Sequence, residues 1–260
     1  MNLFGWIGRR CIELFLYIID FTYFLLHSLS VWQVHRNVFN RAVYSNLLGQ
    51  LIFTGVNAIT MISFLAVLVG VGVISQLVYI MHALTGASHL TDILSRLVVS
   101  ELGPVITGVI LVGRSCSAIA VDLGNTKVRG EIEPLEYLGI DVNDYFVVPG
   151  IVSMMISQLI LALYFSIIMI LCGVYFSAYV YNFSAQELFL QLLNTLNIGV
   201  VMIFIAKNLV FGLVIGALAC FHGLLVGNSP TQVPQQMQKA VVRGLVFLFL
   251  ADGYFLLFTL

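Results

Sequence analysis

Charge is what this chain has least of. Only 9% of its 260 residues are Asp, Glu, Lys or Arg, while 60% are hydrophobic. That is more apolar surface than a soluble core of this size can hide, so the expected solvent is lipid. The formal net charge of -1 and isoelectric point near 6.5 exclude nucleic acid or an anionic surface as a partner of the chain as a whole, since such partners leave a basic excess. Cysteine is sparse and scattered. Cys11, Cys116, Cys172 and Cys220 show no CxxC or Cys/His spacing, which excludes a metal site of ordinary pattern and leaves them as small buried hydrophobes. The five histidines form no HExxH and no His-x4-Asp, and no serine sits in GxSxG; motif reading therefore finds no enzyme, although it does not reach a site assembled from distant segments. No lysine is preceded by Gly and followed by Ser or Thr, so the chain lacks a P-loop and any ATP must be bound by another protein. A small-residue cleavage site after a compact apolar core is also missing from MNLFGWIGRRCIELF, so no removed signal peptide is expected.

What charge there is gathers in one place. Nine of the 23 charged residues lie between Arg114 and Asp144. An apolar stretch, ELGPVITGVILVGRSCSAIAVDLG, runs straight into NTKVRGEIEPLEYLGID. There Leu135 and Leu138 lie three apart beside Glu133 and Glu136, a spacing compatible with a short helix. A loop that only has to stay in water has no use for embedded leucines. Residues 125–140 are therefore expected to dock a cytoplasmic partner, with a plain solvated loop as the alternative.

The rest of the chain reads as membrane helices. Residues 6–34 carry Glu13, Asp20 and His27 at intervals of seven, two helical turns, which places the three on one stripe. With Trp6, Arg9 and Arg10 at one end and Trp32 at the other, this suits a helix lying in the membrane interface; a spanning helix with its stripe against protein is the alternative. Spans are expected at 52–81, 90–121, 145–178, 190–222 and 237–259, each reaching the roughly 20 residues needed to cross hydrocarbon and the longer ones tilted or projecting beyond it. Ser88 or Thr91 would cap the start of the second. The chain thus reads as an all-α integral membrane protein, one domain over 1–260. Lys and Arg fall before span one (9, 10, 36, 41), after or near the end of span two (114, 127, 129) and at the start of span five (239, 243), with none between spans three and four. That alternation puts the N-terminus in the cytoplasm.

Several residues inside the spans need an explanation. Glu101 is costly in a span and has Arg96 only at a poor helical distance, so it either faces a polar path or pairs with a cation from another helix. Pro104 is expected to kink span two just beyond itself. Arg114, 13 residues from Glu101, roughly 20 Å along a helix, is too far to pair with it; it snorkels to headgroups or packs on the docking segment. Lys207 and Asp252 read as a cross-helix ion pair or polar anchors. Gly70, Gly72, Gly212 and Gly216 read as helix-packing positions.

The stretch ELGPVITGVILVGRSCSAIAVDLG with LEYLGID resembles the signature of the MlaE/YrbE family, the permease subunits of lipid-transporting ABC systems. AKNLVFG (206–212) and CFHG (220–223) extend the likeness to roughly residues 50–258. The chain departs from the family's common pattern at Ser100 (commonly Arg), Val142 (commonly Pro) and PQQMQKA (commonly Thr-rich). The resemblance implies a homodimeric permease domain with an interfacial helix and five spans, in the bacterial inner (cytoplasmic) membrane. It implies as partners a cytoplasmic ABC ATPase carrying ATP and Mg, an extracytoplasmic MCE-domain lipid carrier and a STAS-domain protein, with no cofactor on this chain. On that likeness Glu131, Glu133, Leu135, Glu136, Tyr137, Leu138 and Gly139 form the coupling helix in the ATPase cleft. A lipid path between two copies would be lined by Leu68, Val71, Ile74 and Leu102, with Glu101 near the headgroup. An intramembrane lipid-modifying enzyme and a non-transporting anchor for a cytoplasmic partner are the competing classes.

Overall fold

The computed structural model describes residues 3–34, 41–76, 100–181, 186, 198–227 and 229–259, and all regular structure among them is helical. In lipid no water is available to backbone N–H and C=O groups, so a spanning segment must satisfy them within itself, as a helix does. Five helical runs among the described residues are long and apolar enough to cross a membrane: Tyr44–Ile74, Ser100–Val128, Asn143–Val180, Ile198–Leu224 and Gln232–Leu257, spans one to five. The N-terminal helix Leu3–Val34 contains the shorter apolar stretch Phe15–Ser28. Its Asp20 and His27 are exposed while Phe21 and Ser28 are buried, as a polar stripe opposite a packing face requires. The side chains of Trp6, Arg9, Arg10, Glu13 and Trp32 lie outside the described set, as do Ser88, Thr91, Arg96 and the ends of the apolar runs at 77–81 and 190–197.

Two span boundaries extend past the apolar runs. Span one begins at Tyr44 where residue 52 is expected, and span two continues to Val128 where 121 is expected. A hydropathy reading stops at polar residues, but a helix stops only where its backbone is broken. Asn46 continues the helix because its Nδ2 reaches the Tyr145 carbonyl at 2.6 Å. Pro104 also differs: a π turn at 100–102 comes before it and the α-helix resumes at Gly103. The irregularity sits on the N-terminal side because the proline ring clashes with the turn before it.

Backbones meet where glycine removes the side chain. A β-carbon on Gly70 would lie 2.5 Å from the Met169 carbonyl oxygen, and one on Gly173 2.5 Å from Ile74 Cβ, so spans one and three touch backbone to side chain with nothing between. On another side of span three, Gly212 lies against Met155, whose Cα would be 2.5 Å from an added β-carbon, and Gly216 lies against Ile151. Such crossings are how helices associate where lipid offers no hydrophobic drive. Gly72, expected to pack, faces open space instead.

Span one is interrupted at Val56–Ala58 by a 3₁₀ turn. The Ala58 N–H there bonds to Gly55 O at 3.0 Å and so leaves the Thr54 carbonyl without its α-helical donor. Span two answers from a π turn at Val112–Cys116. Ser115 Oγ donates to Thr54 O and Arg114 Nη1 to Phe53 O, both at 3.4 Å. Arg114 thus reaches a carbonyl of span one beside the interruption.

Gly212→Ala is expected to cost about 1–3 kcal/mol by forcing spans three and four apart. Gly49→Ala, where an added β-carbon meets nothing within 4 Å, is expected to stabilise by about 0.5–1 kcal/mol. Thermal unfolding of the detergent-purified chain distinguishes them.

Candidate functional site: a buried ion cluster and an exposed short helix

Lys207 lies within the fourth span and is 1% exposed. An ammonium has three hydrogens and needs three oxygens when water is absent. Two come from Glu101 Oε2 at 2.6 Å and the Ser100 carbonyl at 3.0 Å, while Asp252 Oδ1 lies 2.6 Å away as an ion-pair partner outside hydrogen-bond geometry. The Phe211 ring lies 5.8 Å from the nitrogen. Glu101 and Asp252 are 26% and 19% exposed, so the cation is closed in while one side of each carboxylate is open. Of the two sequence readings of Glu101, a cross-helix partner is present, and Lys207 and Asp252 are that ion pair with a third member. Beside it lies a neutral layer: Gln158 Nε2 donates to Pro104 O at 3.1 Å and to Asn208 Oδ1 at 3.0 Å, tying spans two, three and four.

The residues expected to line a lipid path are not all turned the same way. Leu68 is exposed, Val71 and Leu102 are half-buried, and Leu102 packs on the core. Ile74 is 0% exposed and pressed against Gly173 of span three. This removes Ile74 from any path, because the π turn Gly70–Ile74 rotates the last residues of span one away from regular helical spacing.

Span two ends in two successive left-handed caps. Glu131 N bonds to Thr126 O at 3.2 Å and Gly130 N to Lys127 O at 3.0 Å; nine residues on, Ile140 N bonds to Leu135 O at 3.0 Å and Gly139 N to Glu136 O at 2.9 Å. Each pair is a Schellman motif, which needs a residue at positive φ, and Gly130 and Gly139 supply φ of 70° and 75°. Between them stands the helix Ile132–Tyr137, with no buried residue. Glu131, Glu133, Glu136 and Gly139 are exposed and Leu135 is half-buried. Tyr137 and Leu138 are 89% and 75% exposed. Two large apolar side chains are thus held exposed on a capped helix. Lys127 Nζ, bonded to the Leu224 carbonyl, anchors its root to the end of span four.

A family model described as Permease MlaE matches residues 47–258. The chain belongs to the MlaE permease family. It is similar to a probable ABC transporter permease protein of Rickettsia bellii, 23% identical over 97% of this chain and 95% of that protein. It is also similar to the protein Trigalactosyldiacylglycerol 1, chloroplastic, of Arabidopsis thaliana, 27% identical over 80% of this chain and 60% of the relative. A probable ABC transporter permease protein of Synechocystis is 28% identical over 62% of each chain. The protein is therefore a multi-pass membrane permease, a transporter component.

One polar cluster of this MlaE permease escaped sequence reading. His222, fully buried near the end of span four, meets the Tyr17 hydroxyl at 3.2 Å and Gln236 Oε1 at 3.1 Å. Arg243 reaches the same imidazole at 3.4 Å and lies 3.7 Å over the Tyr17 ring. Tyr17 comes from the N-terminal helix and Arg243 from span five, so no spacing along one helix announces their meeting. Gln158, an amide inside a long uncharged run, was the one visible signal for the neutral layer.

Lys207→Met, which strands two carboxylates, is expected to destabilise by about 3–5 kcal/mol. Adding Glu101→Gln and Asp252→Asn should recover most of that loss in thermal unfolding. Gly139→Ala is expected to weaken the cap by about 1–2 kcal/mol and to speed amide exchange at Gly139 and Ile140.

Proposed function

We propose that this permease is the membrane half of an ABC transporter that moves phospholipid or a related lipid between the bacterial inner membrane and an extracytoplasmic MCE-type carrier. Two copies face each other, and separate ABC ATPases, binding ATP and Mg, supply the energy. A STAS-domain protein is a further partner of the assembly. The N-terminus lies in the cytoplasm, on the side of the exposed helix Ile132–Tyr137.

The observation that carries this reading is the continuity of span two. One unbroken series of helical turns runs from Ser100 to Val128, with the ion cluster at one end and the capped, outward-facing Tyr137 and Leu138 just beyond the other. Its length is roughly 40 Å at 1.5 Å per residue. A push on Glu131–Gly139 by closing ATPases is carried by that rod toward Glu101 and Leu102. There it shifts the open faces of Glu101 and Asp252, next to the headgroup, and the apolar lining at Leu68, Val71 and Leu102, next to the tails. The lipid substrate is supported by the name of the Arabidopsis relative, which is that of a glycolipid. The ATPase partner is supported by the ABC permease names of the bacterial relatives.

Reconstitution with co-purified partners and labelled phospholipid should show transfer that depends on ATP; ATPase turnover without lipid movement would contradict the transport reading. Leu135→Asp with Leu138→Asp is expected to abolish ATPase co-purification while leaving the chain folded, and an intact complex in that variant would remove the coupling role from this helix.

A further inference from the structure

A second charged site lies on span five, away from the ion cluster. Its helix, Gln232–Thr259, has 28 residues, roughly 42 Å at 1.5 Å per residue, which exceeds the ~30 Å of a hydrocarbon core. The expected start of this span at residue 237 puts Lys239 and Arg243 within its first two turns, with Arg243 about 13 Å along the helix from Asp252.

Among the described residues, no carboxylate is paired with either cation. Arg243 is half-buried, stacked over Tyr17 and bonded to His222 Nε2. With Nδ1 donating to Gln236 Oε1, Nε2 offers only a lone pair, shared by Arg243 and the Tyr17 hydroxyl. His222 in this arrangement is neutral. Among the described residues no carboxylate oxygen lies within 4.0 Å of Arg243 or Lys239, and Asp20, one turn beyond Tyr17 on the N-terminal helix, is exposed. A partly buried guanidinium without an anion is costly at the edge of hydrocarbon. Lys239 is exposed and stands four residues before it, on the same helix face.

We propose that Arg243 and Lys239 bind the phosphate of an anionic phospholipid of the surrounding bilayer, at a site separate from any transport path. The Arg243 guanidinium keeps free N–H groups for two phosphate oxygens, the fork geometry that suits this anion. Lys239 adds a second charge from the water side, and the pair makes the kind of basic pocket between membrane helices that selects anionic headgroups. Free phosphate has the same anionic oxygens. Lipid is favoured because Val242 and Val246, on the same helix, are exposed large hydrophobics beside which acyl tails can lie.

The full chain, purified in detergent and stripped of lipid, is titrated with dioctanoyl phosphatidylglycerol, dioctanoyl phosphatidylcholine and inorganic phosphate, with bound lipid counted by native mass spectrometry. Saturable phosphatidylglycerol binding is expected, at least tenfold tighter than phosphatidylcholine and not displaced by equimolar inorganic phosphate. Lys239→Gln is expected to weaken it about fivefold, and Lys239→Gln with Arg243→Gln about thirtyfold. Lys239 is exposed, so its variant keeps the fold. Unaltered phosphatidylglycerol binding in that variant overturns the site, as does equal retention of the two lipids. Displacement by inorganic phosphate overturns the lipid assignment.

Discussion

A lysine ammonium surrounded by apolar helices is tolerable only where opposite charge comes within bonding distance, and Lys207 obtains it from two other helices at 2.6 Å each. That requirement sets the register of three spans at once. Span two must present Glu101 and the Ser100 carbonyl at the level of Lys207, and span five must present Asp252 there too. A slide of any one helix by a turn, about 5.4 Å, would leave a charge buried alone, which costs several kcal/mol. On the opposite side of span four the fit is steric instead. Gly212 and Gly216 press on span three so closely that a single β-carbon would collide with backbone. Electrostatics thus fixes one face of the bundle and excluded volume the other.

From the cluster, span two leads to the surface without a break in helical turns, yet it is not a uniform rod. Its π turn at Val112–Cys116 lies beside the 3₁₀ interruption of span one, and Arg114 and Ser115 satisfy the carbonyls that the interruption exposes. Two irregular helices are thereby held as a pair. Past Val128 the chain turns twice through glycines at positive φ, and each cap returns two N–H groups to carbonyls of the preceding turn. The short helix between them keeps Tyr137 and Leu138 outside because its ends, not its packing, hold it together.

Much of this was legible in one dimension. The five spans follow from apolar runs, since lipid imposes length and composition directly on each segment. The short helix around Leu135 and Leu138 was legible for a similar reason: the spacing of apolar and acidic residues is a local property. Span ends were less legible, because Asn46 remains helical through a bond to Tyr145, a residue distant in sequence. Arg114 was read through its own neighbours, whereas the carbonyls it caps belong to span one. Ile74 was assigned by regular helical spacing, which a π turn does not keep.

The sequence by itself determined that the protein lives in lipid, how many helices are long enough to cross it, where its one charged and partly apolar handle projects, and that it has no P-loop to power itself. These are properties of segments, written in composition and spacing. Only the tertiary structure decided that Glu101, Lys207 and Asp252 form one cluster, and that Tyr17, His222 and Arg243 form another with no carboxylate paired to it among the described residues. Both depend on which residues of separate helices share a level and a face. Helix packing sets that through contacts such as Tyr17 with His222, 205 positions apart, a separation across which no local pattern carries information.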